Sequence, residues 1–260
     1  MSILYNRPQT ARFIARPNRF IAHVLVGDEV VVCHVKNTGR CRELLLPGAR
    51  VIIAPARNPL RKTAYDLIAV YKGEMLVNID SQAPNALVHR CLSSRYPGTQ
   101  VRPEARIGHS RLDFLVNLRP GWDSQAGPQP PESLLYVEVK GVTLEEGGIA
   151  RFPDAPTPRG ARHLQELARL AKQGHQALVL FVLQFRPAGF FCPNDAMDPA
   201  FGIALREAAA LGVQVEALDC LVEEGCLSLG RRVPVRLQEC APERPDGGSV
   251  SRSFPACWQT

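Results

Sequence analysis

The hydrophobic pattern changes once along this chain, near residue 83, and that change limits the folds open to it. Before it, apolar residues come in short runs rich in valine and isoleucine, each closed by turn residues. Phe20-Ile21-Ala22-His23-Val24-Leu25-Val26 and Glu29-Val30-Val31-Val32-Cys33-His34-Val35 flank Gly27-Asp28, a compact hairpin signal. After Asn37-Thr38-Gly39 a short apolar helical piece is expected over 43–46, ended by Pro47-Gly48. Runs at 51–54, 64–71 and 75–80 follow, the last two joined at Lys72-Gly73-Glu74. Five short strands in residues 1–82 suggest a small β-barrel of OB type.

From Ala83 the period alternates between strand and helix. Residues 84–92 open with proline at helical spacing, and 101–107, 112–118 and 134–139 have strand character. Between them, 119–133 holds too many proline and glycine residues for regular structure and is expected to be an exposed loop. A helix at 158–174 carries Leu164, Leu167, Ala168 and Ala171 on one stripe. An apolar strand at 177–185, buried on both faces, a helix at 199–211 and a strand at 213–217 complete an α/β layer over 83–237. The tail at 238–260 is expected to be disordered, and no internal repeat is visible.

Charge is unevenly distributed. Residues 1–82 carry twelve Lys/Arg against six Asp/Glu, which equals the whole chain's net charge of +6. Only five of the 31 basic residues are lysine, so the positive surface is almost all guanidinium, whose planar fork suits phosphate. A localised basic excess favours a polyanionic partner, although arginine also accumulates in any arginine-rich composition. The eight cysteines show neither a CxxC pair nor a metal-binding spacing, which points to free thiols in a reducing compartment. No apolar run approaches the roughly 18 residues of a membrane-spanning helix. The start, Met1 to Pro8, lacks the apolar stretch of a secretory signal, so a cytoplasmic protein without membrane contact is expected.

One constellation carries chemistry. Ser110-Arg111-Leu112-Asp113-Phe114 starts one strand with a carboxylate, and Tyr136-Val137-Glu138-Val139-Lys140 ends the next with Glu-x-Lys. The period of 2 puts Glu138 and Lys140 on one face, and hairpin pairing would bring Asp113 beside them. Two carboxylates can hold Mg²⁺ or Mn²⁺ while waters and a phosphate complete its shell. A lysine beside such a metal can orient or help deprotonate the attacking water. That is the arrangement of restriction-endonuclease-like nucleases, PD-(D/E)XK, with Glu104 on the preceding strand as a further potential ligand. Glu-x-Lys alone is also an ordinary salt bridge on an exposed strand. Downstream, Phe152-Pro153-Asp154-Ala155-Pro156-Thr157-Pro158 leads into a helix whose first turns hold Arg159, Arg162 and His163. These could bind phosphate, or Asp154 or Thr157 could simply cap the helix. In the barrel half, Arg16, Asn18, Arg19, Asn37, Thr38, Arg40, Arg61 and Lys62 stand at turns, where small barrels dock nucleic-acid backbones.

Together these strings resemble the sugar fermentation stimulation protein A family. The matching stretches are RPNRF (16–20), NTGRCREL (37–44), NPLRKTAYDL (58–67), LVNID (76–80), PN (84–85), SRLDF (110–114), VEVKGVTL (137–144), FPDAPTPRGARHLQEL (152–167) and GVQV (212–215). The resemblance covers residues 10–218 and implies an OB-type barrel joined to a restriction-endonuclease-like domain. It also implies sequence-tolerant binding of double-stranded DNA and a role in regulating sugar (maltose) use. Cys41 stands where the family often has methionine, the 119–133 loop is longer than expected, and the tail has no counterpart. Three functions remain open at this stage. They are DNA binding without turnover, a Mg²⁺- or Mn²⁺-dependent nuclease using Asp113, Glu138 and Lys140, and binding of RNA by the barrel. No helix-turn-helix pattern supports a conventional repressor.

Overall fold

The computed structural model describes residues 1–37, 39, 41–56, 58, 60–108, 110–119, 121 and 130–238. After β1 (Ser2–Leu4) come β2 (Gln9–Asn18), β3 (Ile21–Val26), β4 (Glu29–Val35), β5 (Arg50–Pro55), β6 (Tyr65–Lys72) and β7 (Met75–Asn78). They pair in the order β4-β3-β2-β5-β6-β7, and a parallel contact of β4 with β6 closes β2 to β6 into a five-stranded barrel. The barrel is the expected OB type, but its strands are not quite the expected five. β2 replaces β7 in the closed ring, and β7 hangs on β6 as a hairpin. The sequence hides β2 because only Ala11 and Phe13 alternate inward, and Pro17 falls at a register shift. The expected helical piece after Cys41 is a single turn, with Leu45 N–H donating to the Cys41 carbonyl at 2.9 Å.

The second half contains α1 (Ala83–Arg95), β8 (Val101–Ile107), β9 (Ser110–Asn117) and β10 (Leu134–Val142). Then come β11 (Leu144–Glu146), β12 (Ile149–Phe152), α2 (Pro158–Lys172), β13 (Gln176–Leu183), β14 (Phe190–Pro193), α3 (Pro199–Ala210), β15 (Gln214–Glu223) and β16 (Cys226–Arg232). Seven strands form one sheet in the order β1-β16-β15-β13-β10-β9-β8, parallel through β10, β13 and β15. β1 therefore sits at the edge of this sheet, although its residues precede the barrel in the chain. β11, β12 and β14 make a separate small sheet. Much of the expected loop, at Pro120 and 122–129, lies outside the described residues, as does the tail from 239.

β13 shows how sequence sets the layers. Leu178, Leu180 and Val182 pack with Leu87, Val88 and Leu92 of α1, whereas Val179, Phe181 and Leu183 pack with Leu164 and Leu167 of α2 and Leu205 of α3. Both faces are covered, so the strand is apolar throughout. The same alternation on β10 sends Val137 and Val139 toward α1 and leaves Tyr136, Glu138 and Lys140 for the α2 side. Among the described residues no helix is long and apolar enough to cross a membrane. The six described cysteines are free, and burial pushes the thiols of Cys33, Cys41 and Cys220 up to about 12, which leaves them unreactive.

The two halves meet along a polar seam. Gln184, 1% exposed, donates from Nε2 to Asn78 Oδ1 at 2.9 Å and to the Asp80 carbonyl at 3.1 Å. Its own carbonyl accepts from Asn78 N–H at 2.8 Å. Gly141 is needed beside it, because a Cβ there would come within 2.6 Å of Gln184 Oε1. Removing a buried hydrogen-bonding side chain costs about 2 kcal/mol. Gln184→Ala should lose that much in urea unfolding of the whole chain, and an unchanged midpoint would show that the seam holds without it.

Candidate metal centre

Glu138 is 2% exposed in the middle of β10. One carboxylate oxygen, Oε1, accepts from Lys140 Nζ at 2.6 Å and from His163 Nδ1 on α2. Arg159 Nε donates to the other ring nitrogen of His163 at 3.4 Å, so the imidazole proton belongs on Nδ1, facing Glu138. The second oxygen of Glu138, Oε2, is buried and has no hydrogen-bond partner. A buried carboxylate oxygen without a donor is costly in a folded protein unless something positive approaches it.

Asp113 stands on the adjoining strand, close enough for the Glu138 charge to act on it. The β9–β10 ladder ends at Phe114 opposite Val137, and the next pair in sequence is Asp113 and Glu138. There the strands part, and Asp113 Oδ2 itself accepts from the Val139 backbone N–H at 2.8 Å. Asn85, near the start of α1, donates to Oδ1 at 2.7 Å. Asp113 is thus fixed by a strand on one side and a helix on the other.

The two carboxylates titrate in opposite directions. Burial, then the neighbouring Glu138 charge, pushes Asp113 above its ordinary value. Burial opposes charge on Glu138 as well, but the His163 hydrogen bond and the Lys140 ammonium outweigh it and hold that carboxyl below its ordinary value. An additional cation between the pair would relieve Asp113 without disturbing the partners of Glu138.

Of the residues singled out by sequence, Lys140 pairs with Glu138, and Asp113 accepts from the backbone N–H of Val139 between them. Glu104 does not join them. Its side chain, 69% exposed, reaches Arg111 at 3.3 Å on the surface of β8 and β9. Among the described residues, no group of three or more His, Cys, Asp or Glu side chains is arranged to hold an ion. His163, read as a phosphate contact, is instead a buried partner of Glu138. The available clue was its position on the apolar face of α2, one turn before Leu167. Asn85, part of the matching PN string at 84–85, carries no site role by sequence, yet it holds Asp113. Thr157 is the cap of α2, its Oγ1 accepting from Gly160 N–H at 3.2 Å, and this leaves Arg159 and Arg162 exposed on the first turns.

The turn residues of the barrel divide in two. Arg16 is committed to structure, donating to the carbonyls of Gly39 at 2.9 Å and of Arg19 and Asn37 at 2.7 Å. Asn18 and Asn37 use their side-chain oxygens to close their own turns, and Arg61 pairs with Asp66 at 2.6 Å. Arg19 and Lys62 are exposed, while Thr38 and Arg40 lie outside the described residues. The turn at Asn37–Gly39 abuts the loop before α2, since a Cβ on Gly39 would stand 2.8 Å from Asp154 Oδ2. The barrel at Gly39 and the loop before α2 are therefore in contact.

Comparison with known proteins agrees with this architecture. Residues 14–79 match the family model described as the SfsA N-terminal OB domain, and residues 82–225 match the sugar fermentation stimulation protein RE domain. The chain belongs to the sugar fermentation stimulation protein family. A homologue from Ruminiclostridium cellulolyticum is 46% identical over 236 residues, covering 90% of this chain and 99% of that protein. Another from Clostridium botulinum is 44% identical over 234 residues, covering 87% and 96%. The solved structure of Pyrococcus furiosus SfsA in complex with Ca²⁺ superposes with a TM-score of 0.78 at 27% identity, covering 90% of this chain and 98% of that one.

Glu138→Gln would leave Lys140 and His163 facing a neutral amide. Breaking a buried pair of this kind costs about 3 kcal/mol. Because the folded-state pKa of Glu138 is lowered, the stability it contributes is present above the usual glutamate range and is lost as pH falls through the folded value. Urea unfolding should therefore show a wide gap between wild type and Glu138→Gln at neutral pH that narrows on acidification. A gap independent of pH would contradict the ion-pair assignment.

Proposed function

We propose that this protein binds DNA with little sequence preference and cleaves its backbone with a divalent cation, Mg²⁺ or Mn²⁺, held by Asp113 and Glu138. The observation that carries this reading is the buried Oε2 of Glu138, which has no hydrogen-bond partner, in a carboxyl near enough to Asp113 to influence it electrostatically. Two carboxylates without a third described ligand suit an ion that keeps several waters and takes its remaining oxygens from a phosphate. The Ca²⁺ complex of the Pyrococcus furiosus relative supports an oxygen-ligated divalent ion in this family.

When bound, the cation would polarise the phosphate and lower the pKa of a coordinated water. The chain's own residues do the rest. Lys140 and His163 hold Oε1 and so fix the direction of Oε2, while Asn85 and the Val139 N–H fix Asp113. The Lys140 ammonium, 13% exposed, lies at the edge of the pair, where it can orient a water and offset developing charge. Arg159 and Arg162 on α2, with Arg19 and Lys62 on the barrel, are exposed and would grip the DNA backbone. A DNA partner suits a cytoplasmic protein, and regulation of sugar use, maltose included, would act through DNA binding. The concentration of the net charge on residues 1–82 favours a second reading in which binding alone is the function.

Labelled DNA incubated with Mg²⁺, Mn²⁺ or a chelator separates the two. Cleavage should require the metal, and millimolar-scale Mn²⁺ should raise the melting temperature by binding the folded form. The double variant Asp113→Asn with Glu138→Gln should lose both responses yet still bind DNA. A wild-type protein that ignores Mn²⁺ in melting and cleaves nothing would leave the binding reading.

The backbone contacts have their own test. Reversing the charges of Arg19, Lys62, Arg159 and Arg162 should flatten the plot of log K against log salt by nearly one unit for each lost phosphate contact. Arg16 is left intact because it holds the turns together. An unchanged slope would remove these residues from the DNA path.

A further inference from the structure

The RPNRF turn has a second use. Arg16 and Asn18 hold the turn by hydrogen bonds, so the side chains it presents outward are Arg19 and Phe20. Phe20 is 47% exposed and, among the described residues, is the one exposed Phe, Tyr or Trp. Its backbone is rigidly placed. Asn18 Oδ1 accepts from the N–H groups of Phe20 at 2.9 Å and Ile21 at 3.1 Å, and the Phe20 carbonyl accepts from Val35 N–H at 2.8 Å. The Arg19 guanidinium lies 5.0 Å from the ring centroid.

The same contacts tie this ring to the metal centre. Arg16 joins the Arg19 carbonyl to the Asn37–Gly39 turn, Gly39 abuts Asp154, and the Asp154 loop starts α2, whose His163 holds Glu138. Resting on the DNA-binding reading above, we infer that Phe20, flanked by Arg19, is a stacking platform for an unpaired base. The DNA brought to Asp113 and Glu138 would then carry a single-stranded segment. A base inside a duplex has both faces covered by its neighbours, so only an unpaired base offers a free face to the ring. The guanidinium beside the ring contributes cation–π attraction and neutralises the adjoining phosphate. A backbone held in place before binding limits the entropy lost when a base stacks on the ring.

The test is fluorescence anisotropy in chelator, so that no cleavage contributes, with a labelled single-stranded oligonucleotide and with its duplex. Three proteins are compared: wild type, Phe20→Leu, which keeps an apolar side chain but no aromatic face, and Phe20→Trp. Melting temperatures should agree, because the ring is outside the core. Phe20→Leu should weaken single-strand binding roughly five- to one-hundred-fold and leave duplex binding within about twofold, and Phe20→Trp should restore the loss. Quenching of 2-aminopurine in the single strand should disappear with Phe20→Leu and return with Phe20→Trp. If Phe20→Leu binds the single strand as tightly as wild type, or weakens both DNAs equally, the platform is refuted while DNA binding stands. If wild type binds neither DNA, the DNA reading is refuted and the platform with it.

Discussion

The arrangement of this protein turns on one buried carboxylate with unequal oxygens. Glu138 has Oε1 occupied by Lys140 and His163 and Oε2 left without a donor. A purely structural ion pair is stable when all of its polar atoms are satisfied, and half-satisfied buried networks are the expensive kind. The asymmetry is built by three elements at once: β10 supplies Glu138 and Lys140, α2 supplies His163, and the parting of β9 from β10 supplies Asp113. The parallel order of β10 and β13 fixes which face of β10 meets α2, so the core and the site are set by the same alternation.

The barrel is integrated with this centre. Ile52, Ala54, Ile68 and Ala69 on its outer wall are buried together, with Val222 of β15 and Tyr5 packed against them. β5 and β6 are therefore apolar on both faces, unlike strands of a free-standing barrel. On the site's side, Arg16 clamps two barrel turns, and the small side of Gly39 lets one of them approach Asp154. Burial pushes the Asp154 carboxyl above its ordinary value, so this close approach is made against an electrostatic cost.

Much of this could be read from sequence, and the failures have physical causes. The barrel, the α/β layer and the placement of Glu138 and Lys140 on one face of β10 follow from periods of 2 and 3.6 that depend only on local geometry. β2 was hidden because only Ala11 and Phe13 alternate inward and its register is interrupted near Pro17. β1 was hidden because a three-residue strand has no period, and its pairing with β16 spans nearly the whole chain. Site assignments failed where residue type was ambiguous. An arginine at a turn can hold a phosphate or a carbonyl, and only the fold shows that Arg16 holds carbonyls while Arg19 faces outward. Glu104 was plausible as a ligand on a neighbouring strand, but pairing with Arg111 directs its carboxylate to solvent.

The most direct measurement is a crystal structure of the protein grown or soaked with Mn²⁺, using the anomalous signal to locate the ion. Density should appear between Asp113 and Glu138 Oε2 at ordinary oxygen-ligand distances, with Lys140 and His163 still on Oε1 and Glu104 not involved. An ion bound elsewhere, or Glu138 turning both oxygens to Lys140 and His163 while the space beside Asp113 stays empty, would contradict a metal centre at this position.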